Sequence, residues 1–183
     1  KYTFINKSQF NWDSTYISIF NDVDIGNGTC GSSDDAGGCD TIREMAFGYN
    51  GDNNDCSYGA NPPSIGYRFL QSPLRYTGSS NDTTKLPYDT IIGYKATGLS
   101  SYYHIVNSAP YLCQSDPQLA IEAFNVMRGK DVCGNIKINP LSGQPTNFKY
   151  DGDACNRIGW LDSNSHNFRD FASSGPFAMN VSD

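Results

Sequence analysis

"KYTFINKSQFNWDSTYISIF" (Lys1–Phe20) opens the chain and "RDFASSGPFAMNVSD" (Arg169–Asp183) closes it. Both stretches are rich in aromatic and β-branched residues and are interrupted by turn formers, the signature of β structure. In the first, Tyr2–Phe10 and Thr15–Phe20 flank a polar turn at Asn11–Asp13, which predicts a hairpin with Trp12 beside the turn. A period of two puts Tyr16, Ser18 and Phe20 on one face and Ile17 and Ile19 on the other. The closing stretch reads as a further strand in the same sheet. Both ends look cut within strands, so the expectation is a piece of a longer chain whose sheet pairs with the parent protein or with a second copy.

Between the ends, short strand-like pieces recur at Met45–Tyr49, Ile65–Leu70, Thr90–Tyr94 and Tyr102–Val106, separated by turns of Gly, Pro, Asn and Asp. One segment differs. "SDPQLAIEAFNVMRGK" (Ser115–Lys130) places Asp116 as N-cap, Pro117 at the first helical position and Gly129 as the stop, with an apolar stripe of Leu119, Ala120, Ala123, Phe124 and Met127. The resulting expectation is a mainly β chain: an antiparallel β-sandwich with long loop-rich insertions and one short α-helix over about 116–128, forming a single domain across 1–183.

Composition agrees. Of 19 acidic residues only Glu44 and Glu122 are glutamates, leaving 17 aspartates, and 12 Tyr and 10 Phe stand beside them. Asp, Asn and Gly favour turns because they accept left-handed backbone and bond to their own main chain. A net charge of −6 argues against nucleic acid or an anionic membrane as partner. No apolar run reaches transmembrane length, so membrane insertion is not expected.

Six cysteines, Cys30, Cys39, Cys56, Cys113, Cys133 and Cys155, form an even set outside any CxxC or zinc-type spacing, and His104 and His166 lie far apart along the chain. Three disulfides are therefore predicted, Cys30–Cys39 first among them, and with them an oxidising, extracellular or cell-surface location.

The most unusual stretch is "NDVDIGNGTCGSSDDAGGCD" (Asn21–Asp40), with five aspartates, five glycines and two cysteines in 20 positions. Calcium takes six to eight oxygens from carboxylates, Asn side chains and carbonyls on tightly turning backbone. This predicts a Ca²⁺ site from Asp22, Asp24, Asp34, Asp35 and Asp40, with a second acidic turn at Asp52, Asn54 and Asp55. The spacing is not that of an EF-hand, whose twelfth position would be Ser33 here. A hydrated acidic loop is the alternative. Catalytic signatures are missing: no GxSxG, HExxH, P-loop or GxGxxG occurs.

Several blocks carry a resemblance: "WDSTYISIFNDVDIGNG", "GCDTIREMAFGYNGDNND", "YGANPPSIGYRFLQSP", and "GQPTNFKYDGD", "GWLDSN" and "SSGPF" near the end. In order and spacing they resemble a group of large secreted bacterial proteins exported by the type IX system. Asp22 and Asp24 stand on two acids of the group's first block, with Val23 where a proline is usual, and Cys39–Asp40 on its "GCD"; the other cysteines depart from the pattern. The resemblance implies export and attachment to, or release from, the cell surface. It also implies O-glycosylation at Asp-Ser/Thr motifs, which fall at Ser14, Thr41, Thr83 and Thr90. The leading expectation is a non-catalytic structural or adhesion module of a cell-surface or filament-forming protein, self-associating through strand edges. The alternatives are a carbohydrate-binding module using Trp12 and Trp160 as stacking platforms for glycans, and third a hydrolase.

Overall fold

The computed structural model describes residues 2–26, 33–106, 112–163 and 166–181. The strands in chain order are β1 (Trp12–Val23), β2 (Asp35–Asp40), β3 (Met45–Asn50), β4 (Asn54–Asp55), β5 (Gly59–Ala60), β6 (Ser64–Tyr67), β7 (Leu74–Tyr76) and β8 (Thr83–Leu86). They continue as β9 (Asp89–Ile92), β10 (Tyr94–Ala96), β11 (Ser101–Val106), β12 (Lys137–Ile138), β13 (Pro145–Thr146) and β14 (Phe168–Met179), with one α-helix among the described residues, α1 (Ala120–Met127), and a 3-10 turn at Leu112–Gln114.

Two three-stranded antiparallel sheets organise the molecule, one ordered β1-β14-β11 and the other β2-β3-β6. The chain's two ends thus share a sheet as expected, with Phe20 opposite Phe171 and Asn21 opposite Asp170. β14 is central, held between β1 and β11. The first half of the closing strand, Phe168–Ser173, is therefore flanked on both sides, whereas Phe177 and Met179 beyond it pair with β1 alone. β11 is covered in turn by residues 147–149, where Tyr102 N–H donates to the Asn147 carbonyl and Lys149 N–H to the Tyr102 carbonyl.

Alternation along β11 and β14 builds two cores on the two faces of their sheet. On one face Tyr103, Ile105 and Phe171 pack with Val126 of α1 and Val132. On the other, Tyr102 and Ala172 meet Cys39 of β2 and Ala46 of β3. Because both faces are covered, β11 is buried almost throughout and shows no polar alternation. β2 has the sequence DAGGCD, with no β-branched residue, and its place in the sheet rests on close packing. A Cβ at Gly37 would stand 2.6 Å from the Phe168 ring and 3.0 Å from the Tyr102 hydroxyl. Gly37→Ala is expected to destabilise by about 1–3 kcal/mol through overpacking, measured by urea denaturation.

The predicted opening hairpin is not formed. Residues 2–11 are irregular and the strand starts at Trp12. The cause is local: the buried Asn6 amide donates to the Phe10 and Met179 carbonyls and its oxygen accepts from Ser8 N–H, bonds that shape a turn rather than a ladder. The helix starts at Ala120 rather than near 116. Asp116 is drawn off by Arg169 at 2.7 Å, while Glu122 reaches back to accept from the Gln118 and Leu119 N–H groups at 2.7 and 3.0 Å. The stop is as expected, with Gly129 in left-handed conformation at φ +80°. Among the described residues no helix is long and apolar enough to cross a membrane.

The disulfide expectation needs correction. Cys113 and Cys133 are bridged, tying the segment before α1 to the loop after it, and Cys56 is also disulfide-bonded. Cys39 and Cys155 are free thiols, so a Cys30–Cys39 bridge does not form and three bridges are not reached. Cys39 is fully buried against Tyr102 and Ala46, where burial pushes its thiol pKa far up and makes it a small inert core residue. Cys30 itself lies outside the described residues.

Candidate functional site

β1 ends at Val23, and the chain beyond it runs Asp24-Ile25-Gly26 against the start of β2 and the β4 turn. There the charges of Asp34, Asp24 and Asp55 bear on Asp35, though no three of the four carboxylates lie within 4.8 Å of one another. Asp35 is fully buried; its Oδ2 accepts from Ile25 N–H at 2.8 Å and its Oδ1 has no partner. Asp55 is 2% exposed. Its Oδ1 accepts from Ser57 and Tyr58 N–H at 2.7 and 2.8 Å, while its Oδ2 is unpartnered and lies in the space a Cβ on Gly26 would fill. Gly26 is thus needed twice, for its φ of +104° and for room beside a carboxylate. Asp34 Oδ1 is likewise buried and unpartnered. Burial first, then the three neighbouring carboxylates, pushes Asp35 up to about 6. Like charges held at low dielectric with open lone pairs are costly, and a divalent cation reverses that cost.

The membership differs from the expected set. Asp34 and Asp24 bear on Asp35 here through their charge, Asp24 being exposed and accepting from the Asn167 amide at 3.3 Å. Asp40 does not: it sits at the far end of β2, about 17 Å away at strand rise, where it is paired with Arg43 and accepts from the Ile42 and Arg43 N–H groups. Asp22 stands opposite Arg169 in the β1–β14 ladder and its charge bears on Asp170 instead. The second acidic turn is split. Asp52 and Asn54 are exposed and bond to each other at 2.9 Å, whereas Asp55 turns inward and joins the first group. The two acidic turns therefore supply one site.

Next to it lies a cluster that the sequence did not reveal. His104 on β11, Asp162 and His166 converge in the space between the two sheets, linked to the acidic group by His166 N–H donating to the Asp35 carbonyl at 2.9 Å. The Nε2 atoms of the two histidines are 3.4 Å apart; Asp162 Oδ2 is 3.4 Å from His104 Nε2, and Oδ1 is 3.9 Å from His166 Nε2. His104 is fully buried, stacked on Phe168 with ring centroids 4.3 Å apart and met edge-on by Tyr150. Burial foremost, with Lys149 beside it, depresses the pKa of His104 far below its ordinary value, and His166 is lowered by the same two causes. Both imidazoles are neutral at pH 7. The available signals were the Asp162-x-x-x-His166 spacing and a histidine inside the strand SYYHIV.

Lys149 donates to the His104 carbonyl at 3.2 Å and lies over the Tyr150 ring; burial pulls its pKa down to about 8. The neighbouring Lys137 is held at about 7 by burial and donates to the Tyr102 carbonyl.

The remaining predicted residues are scattered. Trp12 is 45% exposed at the start of β1, while Trp160 is half-buried with its ring edge-on to Tyr150 at 5.5 Å. Ser14, Thr41, Thr83 and Thr90 are all exposed. Cys155 is exposed beside a surface groove lined by Thr41, Met45, Phe47 and Asn156. No protein-family model matches the chain, and no match was found among curated proteins or solved structures.

Proposed function

We propose that the chain is a non-catalytic structural or adhesion module of a secreted or cell-surface protein, and that a Ca²⁺ ion orders the junction of its two sheets. The observation that carries this reading is the set of unpartnered oxygens on buried Asp35 and Asp55, joined by Asp34 and Asp24, on backbone kept open by Gly26. Hard oxygen donors without nitrogen or sulfur are the donor set for calcium. The disulfide Cys113–Cys133 is compatible with an oxidising location, and the type IX resemblance supports export. Pairing with another chain has a route along the outer edge of β1, where Trp12 and Phe20 are exposed.

Calcium binding is linked to folding by mass action, worth about 2.7 kcal/mol when free calcium is one hundred times Kd. In a chain of this size that is a rise of roughly 5–10 °C in Tm. Metal-stripped protein is expected to gain this on adding Ca²⁺, and Asp55→Asn to lose most of the gain, whereas Asp40→Asn keeps it. The gain should shrink as pH falls through about 6, where Asp35 takes up a proton that competes with the ion. A calcium-independent melt overturns the reading.

A further inference from the structure

We propose a second ion site, for a zinc-class divalent metal, formed by His104 Nε2, His166 Nε2 and Asp162 in the space between the two sheets. It is independent of the acidic site and goes beyond the calcium reading.

The argument begins with spacing. Four ligands on a tetrahedron with metal bonds of about 2.1 Å lie about 3.4 Å from one another. The two Nε2 atoms are 3.4 Å apart, Asp162 Oδ2 is 3.4 Å from His104 Nε2 and Oδ1 is 3.9 Å from His166 Nε2. One donor atom from each group lies within 4.8 Å of the other two, so one ion fits between them after a small inward movement. These distances are long for hydrogen bonds, whose N–H···O and N–H···N forms lie near 2.7–3.2 Å. The three side chains thus face a common point without binding each other well.

Chemistry selects the metal. Two imidazole nitrogens with one carboxylate suit zinc and its neighbours in the first transition row; calcium and magnesium prefer oxygen alone.

The surroundings hold the donors in place. His104 is clamped by Phe168 and Tyr150, and the Asp162 carboxylate accepts from Gly37 N–H at 3.2 Å. Asp162 also lines a cleft with Ala36, Tyr49, Asn50 and Arg157, through which water can reach a fourth position. Two features oppose binding. His104 Nδ1 is buried with no acceptor, and the Lys149 charge lies close by. Metal-bound histidines gain basicity from a partner on the other nitrogen, so the affinity is expected in the micromolar range rather than at the level of a fully supported zinc site.

The test is calorimetric titration of Zn²⁺ into metal-stripped protein carrying Cys155→Ser, which removes the exposed free thiol found among the described residues as a competing ligand. One equivalent should bind. His166→Ala is chosen because that side chain is 22% exposed and its loss spares the core; it should weaken binding at least about tenfold, while Asp55→Asn leaves it unchanged. Co²⁺ in place of Zn²⁺ should give the visible absorption of a tetrahedral ion, lost in His166→Ala. No binding, or binding that His166→Ala does not alter, overturns the site. Loss of zinc binding in Asp55→Asn overturns its independence from the calcium site. Failure of calcium to stabilise the protein, with zinc binding retained, overturns only the calcium reading.

Discussion

Phe168→Ala is expected to lower the stability of the protein by about 3–5 kcal/mol, the usual loss for truncating a fully buried aromatic. Phe168 is 0% exposed and packs with Val23 and Ile25 on one side and on the His104 ring on the other. Gly37 lies so close beneath it that even a Cβ there would clash. Neighbours this rigid cannot collapse into the space, which puts the loss at the upper end of the range. At roughly 2–4 °C per kcal/mol, Tm should fall by about 6–20 °C. The same substitution removes the stacking surface that orients His104, so zinc affinity should fall along with stability. Chemical denaturation of the two proteins measures the first effect. A loss under about 1 kcal/mol would show that β14 does not anchor this core.

The features that were legible in the sequence share a cause. Strands rich in aromatic and β-branched residues, such as Thr15–Phe20 and the closing stretch, carry their structure in local pattern, and they pair as expected. The Phe124 side of α1 was legible for the same reason, and its ring meets Tyr16 edge-on at 5.7 Å. What failed depends on contacts distant in sequence. β2 is a strand because Gly37 and Gly38 admit rings and backbone from elsewhere, not because glycine favours strands. Asp116 is paired with Arg169 instead of capping, and the helix starts later, where Glu122 accepts from the Leu119 N–H. An even count of cysteines suggested full pairing, yet Cys39 is a free thiol sealed in a core with Ala46, Tyr102 and Ala172.

At the acidic site the residue type was readable and the membership was not. Asp40 was grouped with Asp34 and Asp35 by proximity along the chain, but an extended strand carries it away, while Asp55 arrives from another turn. His104 and His166 were set aside because they are 62 residues apart, and only the return of β14 alongside β11 closes that distance.

Asp170→Asn is expected to remove a pH dependence that runs opposite to the usual one for a carboxylate. Asp170 is fully buried on β14, with the Tyr67 hydroxyl donating to Oδ1 and the Tyr102 hydroxyl to Oδ2 at 3.2 Å. Two donors favour the anion, but burial outweighs them and, with the Asp22 charge, pushes Asp170 up to about 7. In the unfolded chain an aspartate titrates near 3.9. Between these values the folded protein holds a proton that the unfolded chain has released, so stability falls as pH rises from about 4 to 7. Three pKa units correspond to about 4 kcal/mol, an order of magnitude for the size of the swing. His104 works in the opposite sense: buried and neutral, it opposes unfolding only above the pH where an unfolded histidine gains its proton. The total pH profile therefore mixes both. Comparing wild type with Asp170→Asn isolates one group, since an amide of the same shape cannot titrate. The wild type should lose stability relative to the variant by a few kcal/mol between pH 4 and 7, and the two curves should run parallel above pH 8. A constant difference across that range would mean that Asp170 is ionised in the fold, with the tyrosine hydroxyls outweighing its burial.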